Sequence, residues 1–289
     1  MSDQLIRVLS TDGQLRAMAA TTSDLVENLR QRHGTDPTAT VALGRLVSGT
    51  ALLGSLLKDD QRLGLMIEAN GPLHKLHAET DAAGHLRATI KNPLSGLAPT
   101  SDNFPVAAAV GKAGFLHVVK DLGLKDPYRS MVQLYTSEIA ADIAYYLTSS
   151  EQVPSSVALG VTLATDGSVA AAGGLMVQAL PGCADETLVE LEEKLQQLPP
   201  VTTLLRQGLT PLQILTDLLG SENFAVKSDL PLSFRCNCSL RQIVAMLKGL
   251  DRSERELLAK REGVTEITCE YCREVYRFRP DELAELNRD

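Results

Sequence analysis

The chain contains no tryptophan, and aromatic residues make up only 4% of its 289 positions. Any core built from it must therefore be mostly aliphatic. No apolar run reaches the roughly 18 residues that mark a membrane-spanning helix. The first residues, MSDQLIRVLS, carry neither the basic segment nor the apolar stretch of a secretory leader. Positive charge is also in short supply: 28 Lys+Arg stand against 36 Asp+Glu, a formal net charge of -8. Phosphate backbones are held by clustered lysine and arginine, so an acidic chain is a poor general nucleic-acid binder. An anionic membrane surface offers it no attraction either. These absences predict a cytoplasmic protein with neither nucleic acid nor membrane as partner. Cysteine is scarce and uneven. There are five, and four of them, Cys236, Cys238, Cys269 and Cys272, lie close to the C-terminal end. In a cytoplasmic chain such a cluster signals metal binding or thiol chemistry rather than a permanent disulfide framework.

What is present suits a soluble globular protein: 44% hydrophobic and 22% charged residues over a length that favours two domains, or one with an appendage. The composition shifts near Leu232. Residues 232–289 carry 11 Lys+Arg and 11 Asp+Glu, about twice the charge density of the preceding chain, with few large apolar residues. A segment so small and polar needs a staple to fold. Residues 1–184 read as an α+β core domain. Strands over residues 5–20, 76–90 and 157–180 form hairpins, two of them turning at Asp12-Gly13 and Asp166-Gly167. Asp36-Pro37 supplies a cap and a first-turn proline for a helix that is apolar on nearly all sides, and so buried. Strands joined by tight turns, with helices between them, predict a largely antiparallel sheet with helices packed on it. Residues 185–231 read as a linker, helical to about Leu219. One stripe holds Leu188, Leu191, Leu195 and Leu198, and Pro199-Pro200 interrupts it. Polar and broken, it depends on neighbours for order.

Residues 232–289 form the small C-terminal four-cysteine domain. Cys236 and Cys238 lie two apart in an extended stretch, so both side chains face one way. Cys269 and Cys272 follow a strand into a turn, the knuckle arrangement of a C-x2-C pair. Four thiolates in two pairs suit one tetrahedral zinc ion per chain and leave no open position for catalysis. Such a site carries net charge -2, which Arg235, Arg241 and Arg273 lie near enough in sequence to offset. Structural zinc contributes on the order of 10–16 kcal/mol in small peptides, against about 5–15 kcal/mol of net stability for a whole domain. Loss of the metal is therefore expected to unfold residues 232–289 and to loosen the linker.

The C-x-C followed by a C-x2-C resembles the redox-regulated holdase chaperone family called heat-shock protein 33. The stretches SEIAADIAYYLTSSEQVPSSVALGV (137–161), GGLMVQALPG (173–182) and ANGPLHKLHAETDAAGHL extend the resemblance over essentially the whole chain. It implies an ATP-independent chaperone, not an enzyme, silent when reduced and zinc-bound. It further implies that oxidation links Cys236 with Cys238 and Cys269 with Cys272, frees the zinc, unfolds the tail and favours a homodimer that holds unfolding proteins. Two residues of extended chain span roughly 7 Å, whereas a disulfide takes roughly 4.4–6.8 Å between Cα atoms. A Cys236–Cys238 bridge thus bends the backbone and should be readily reduced. The client-binding surface is not legible; Leu188, Leu191, Leu195 and parts of the core sheet are candidates.

Other features take plainer readings. Gly44-Arg-Leu-Val-Ser-Gly49-Thr50 lacks the lysine of a phosphate loop and reads as close helix packing. His74 and His77, beside Glu79, fall on opposite sides of a strand and do not share a metal. Ser149, Ser150, Ser155 and Ser156 flank Pro154 as turn residues. Cys183 reads as an inert thiol. Two rival classes stand beside the chaperone. A nucleic-acid-binding zinc module would need a basic face, and the tail is charge-balanced. A thiol oxidoreductase would need a helix opening at Cys269.

Overall fold

The computed structural model describes residues 2–100, 103–260 and 263–286. The chain forms two compact units, Met1–Phe234 and Arg235–Asp289. In the first unit, β1 (Gln4–Ser10) and β2 (Leu15–Thr21) form a hairpin, with Gly13 at φ +73° in its turn. Helices α1 (Ser23–His33) and α2 (Pro37–Gly54) follow. Next come β3 (Arg62–Ala69), β4 (Lys75–Asp81), β5 (His85–Ile90), the short α3 (Val106–Val110), β6 (Gly114–Asp121) and β7 (Tyr128–Gln133). Helix α4 (Ile139–Ser149) leads into the hairpin β8 (Ser155–Leu163) and β9 (Val169–Ala179).

The strands fall into two sheets rather than one. The first has the order β10-β1-β2-β9-β8, where β10 is Phe224–Pro231, and every pairing in it is antiparallel. The second has the order β11-β5-β4-β3-β6-β7, where β11 is Ser233–Phe234 and only the β11–β5 pairing is parallel. Helix α2 lies against strands of both, touching β2, β8 and β9 of one and β3, β4 and β5 of the other. That position explains why its sequence is apolar all round: 16 of its 18 residues are buried. The Asp36 side chain accepts the Ala39 N–H at 2.8 Å, and Pro37 occupies the first turn, as the sequence predicts. The phosphate-loop-like glycines are packing devices. A Cβ on Gly44 would stand 2.7 Å from both Val161 and Val26, whose branched side chains have little freedom to turn away. Gly44→Ala is therefore expected to destabilise the first unit by about 1–3 kcal/mol, read as a lowered thermal midpoint with the secondary structure unchanged.

Residues 185–219 are helical as expected, in three pieces: α5 (Asp185–Gln197), α6 (Val201–Arg206) and α7 (Pro211–Leu219). They cover the outer face of the first sheet. Leu191, Val201, Leu215 and Leu218 join Ile6, Val8, Ala17, Leu175 and Val177 in one apolar cluster. The rest of the expected linker is a strand: β10 pairs with β1 along Phe224–Pro231. Its exposed Lys227 and Asp229 fit an edge position, and its apolar residues do not alternate, since Phe224, Ala225 and Val226 run together and Val226 is exposed.

The second unit holds α8 (Leu240–Lys248), α9 (Arg252–Ala259), the hairpin β12 (Thr265–Thr268) and β13 (Val275–Phe278), and α10 (Pro280–Glu285). Among the described residues its apolar core is three buried side chains, Leu247, Phe278 and Leu283, with a partly buried fringe that includes Ile243, Ile267 and Tyr276. No described helix is long and apolar enough to cross a membrane.

Candidate metal centre

The four tail cysteines converge. Chain leaving β11 carries Cys236 and Cys238, and Ser239 then caps α8 by accepting the Gln242 N–H at 3.3 Å. The second pair sits at the tip of the β12–β13 hairpin. There the Cys269 N–H donates to the Glu274 carbonyl at 2.9 Å, and the Arg273 N–H donates to the Cys269 carbonyl at 3.0 Å. Arg273 adopts φ +62°, the left-handed turn that folds the chain back under its own sulfurs. All four Sγ atoms lie within 4.8 Å of one another, and this is the one such cluster of potential ligands among the described residues. Cys236 and Cys269 approach to 3.7 Å, Cys238 and Cys272 to 3.2 Å. Sulfurs about 2.3 Å from a common ion stand about 3.8 Å apart at the corners of a tetrahedron. The arrangement therefore fits a single ion, and both of these contacts run crosswise between the two motifs. Four thiolates in that geometry suit zinc or iron.

The protonation of the sulfurs follows from their surroundings. Burial pushes the Cys272 and Cys238 thiols up, so both favour the protonated form. Burial acts in the same sense on Cys269, but backbone N–H groups of Cys272 and Tyr271 donate to its sulfur and bring it below the usual thiol range. A cation binding here displaces protons, so affinity should fall as pH falls. Arg235, Arg241 and Arg273 are exposed, and the donors to these sulfurs include the backbone and the Tyr276 hydroxyl, 3.2 Å from Cys238 Sγ. Sequence reasoning missed Tyr276. The available signal was its place in the strand, two before the buried Phe278 and four after Cys272. Tyr276→Phe is expected to weaken metal affinity about 10–100-fold, the usual effect of removing a group that orients a ligand, read by competition with a chromogenic chelator.

Among the described residues, none of the remaining candidates joins this cluster of ligands. His77 faces Glu79 at 3.6 Å, and Glu79 is also held by Arg87 at 2.6 Å; His74 lies in the turn before β4 at φ +58°. Ser150 ends α4, and the Ser155 hydroxyl donates to the Val153 carbonyl at 2.8 Å. Cys183 packs beside the cluster under α5, and burial with Asp12 and Asp185 raises its thiol, consistent with an unreactive residue. Cys269 lies between two strands and opens no helix, contrary to what a thioredoxin-like motif requires.

Comparison with known proteins places the chain in a family. The profile of the family described as Hsp33 protein covers residues 3–279. The 33 kDa chaperonin of Syntrophotalea carbinolica is 58% identical over 286 residues, 99% of this chain and 99% of the relative. That of Bacillus subtilis is 40% identical over 285 residues, 98% of each. The crystal structure of the 33 kDa chaperonin (heat shock protein 33 homolog) from Thermotoga maritima superposes with a TM-score of 0.92 at 34% identity, covering 100% of this chain and 98% of that one. With a family match from Asp3 to Arg279 and relatives aligned end to end, this chain belongs to the Hsp33 family.

Proposed function

We propose that the protein is an ATP-independent holdase chaperone, not an enzyme, and that the oxidation state of Cys236, Cys238, Cys269 and Cys272 controls it. The observation that carries this reading is a four-sulfur cluster in a unit whose own core is three buried side chains. When reduced, the four thiolates hold one zinc ion; the ion supplies the cross-link between the two motifs. Oxidation joins Cys236 to Cys238 and Cys269 to Cys272. Each bridge forms as two thiolates give up two electrons to a peroxide, whose O–O bond breaks and which takes two protons from solvent to leave as two waters. All four sulfurs are thereby withdrawn from the metal, and the two motifs are no longer tied to each other. Residues 232–289 then lose their order, and residues 185–231 loosen as a metastable linker on the core of residues 1–184. Peeling α5 from the first sheet exposes the Leu188, Leu191 and Leu195 stripe and the apolar face beneath it. Such a surface suits unfolded or partly unfolded proteins as partners. A homodimer of the oxidised form and a cytoplasmic setting complete the proposal.

The test is light scattering of a heat-unfolding client, with the protein first reduced and zinc-loaded, then treated with peroxide at raised temperature. Suppression by the oxidised form alone supports redox control, and equal suppression by both forms refutes it. Peptide mapping of the oxidised protein should find the two neighbour bridges. Bridges running Cys236–Cys269 and Cys238–Cys272 would leave the motifs tied and contradict the proposed release.

A further inference from the structure

At one end of the space between the two sheets, two arginines meet with no carboxylate pairing them among the described residues. Strand alternation fixes their side. Ile6 and Val8 enter the apolar cluster under the linker helices, so Arg7 points the other way, with Leu5, toward α2. Arg16 likewise shares the face of Met18. In the β1–β2 register Arg7 lies opposite Met18, and Arg16 opposite Leu9. The two guanidinium groups are thus diagonal neighbours on adjacent strands, within reach of each other. Arg16 is anchored from behind: its Nε and one terminal nitrogen donate to Gln178 Oε1 at 3.0 and 2.8 Å. Gln178 is only 1% exposed and itself donates to Ser155 Oγ at 3.1 Å. The Arg7 Nε is buried with no hydrogen-bond partner among the described residues. Burial and the charge of Arg7 both lower the Arg16 pKa, which independently places the two charges close together in a poorly solvated setting.

The one carboxylate that acts on Arg16 is Glu151. It is already committed, since Lys120 pairs with it and the buried Tyr146 hydroxyl donates to it. Neither Arg7 nor Arg16 makes an ion pair among the described residues. Arg7, Arg16 and Lys120 therefore set three cations against one anion inside the fold. Like charges on neighbouring strands destabilise a sheet, and desolvation deepens that effect. A pair held in place by a buried glutamine is built to receive a negative charge rather than tolerated as a defect.

We propose that Arg7 and Arg16 form a binding site for a small oxyanion, phosphate or carboxylate, held between their guanidinium groups at the inner face of the first sheet. Guanidinium forks match the paired oxygens of both ligand types. The site is independent of the cysteine centre. Calorimetric titration of the reduced, metal-loaded full chain, at an ionic strength fixed with chloride, tests it with inorganic phosphate and with acetate as probes. Saturable uptake of one anion per chain is expected. Preference for phosphate or for acetate assigns the ligand class. Arg7→Gln is expected to weaken uptake at least about tenfold, as loss of a charge-assisted hydrogen bond does, and in chloride alone to leave the thermal midpoint unchanged or higher. Arg16→Lys keeps the charge but loses the fork, and should fall between the two. No saturable uptake of either anion, or uptake that neither variant alters, overturns the proposal.

Discussion

Removing the metal from the reduced protein with a strong chelator is expected to unfold residues 235–289 and loosen residues 185–231, while leaving the core of residues 1–184 folded. The asymmetry follows from where the cores lie. The first unit buries α2 between two sheets and a second apolar cluster beneath α5–α7. The second unit buries Leu247, Phe278 and Leu283. A unit of this length has too few buried groups to hold itself together, and on the proposed function a bound zinc ion, which contributes on the order of 10–16 kcal/mol in small peptides, supplies the missing cross-link. Far-UV circular dichroism should lose the helical signal of α8 and α9. Limited proteolysis should cut first between Arg235 and Leu286 and stop at the core of residues 1–184. An unchanged spectrum and an uncut tail after chelation would show that the metal does not hold this unit together.

The second large effect is expected at the ligands themselves. Cys272 is the most buried of the four, and its Sγ lies 3.2 Å from that of Cys238. A serine hydroxyl there is a harder, less acidic donor, and it leaves a soft-ligand site with three thiolates. Cys272→Ser should weaken zinc at least about a hundredfold, more than the 10–100-fold of an orienting partner. Cys236→Ser should act in the same direction, and on the proposed function it also gives partial chaperone activity without oxidant. Cys183→Ser should alter neither property. Metal content of the purified variants, together with chelator competition, reads the first effect. Unchanged stoichiometry and affinity in Cys272→Ser would remove it from the ligand set.

Much of this fold is legible in the sequence because its signals are local. Asp36-Pro37 and an uninterrupted apolar helix announce a buried α2, and Asp12-Gly13 and Asp166-Gly167 announce their hairpins. The cysteine spacing announces the centre, and the structure brings all four together. The division into two sheets is not local. It depends on which distant strands pair, as β2 does with β9 and β1 with β10, and alternation within a strand carries no record of that choice. Strand β10 escapes for a related reason, since an edge strand with charged outward residues resembles a loop. Helices α8 and α9 lie between the two cysteine motifs and were within reach. Ser239 followed by Gln242, and Asp251 followed by Glu254, are cap signals that the structure uses. The role of Tyr276 is harder to read, because a tyrosine four residues past a cysteine signals nothing until the hairpin folds it back toward Cys238. The Arg7 and Arg16 pair is equally hidden, as their closeness comes from register rather than spacing.

The central claim is that one metal-thiolate cluster supplies the order of the C-terminal unit, and that its loss is the event that turns the chaperone on. Hydrogen exchange followed during peroxide treatment, with released zinc and client light scattering recorded on the same samples, tests it most directly. Protection across Leu240–Lys248 and Val275–Phe278 should vanish in step with zinc release and the onset of client holding, while Pro37–Gly54 stays protected. Protection that persists in the tail after the zinc has left, or client holding that begins before it leaves, would contradict the account.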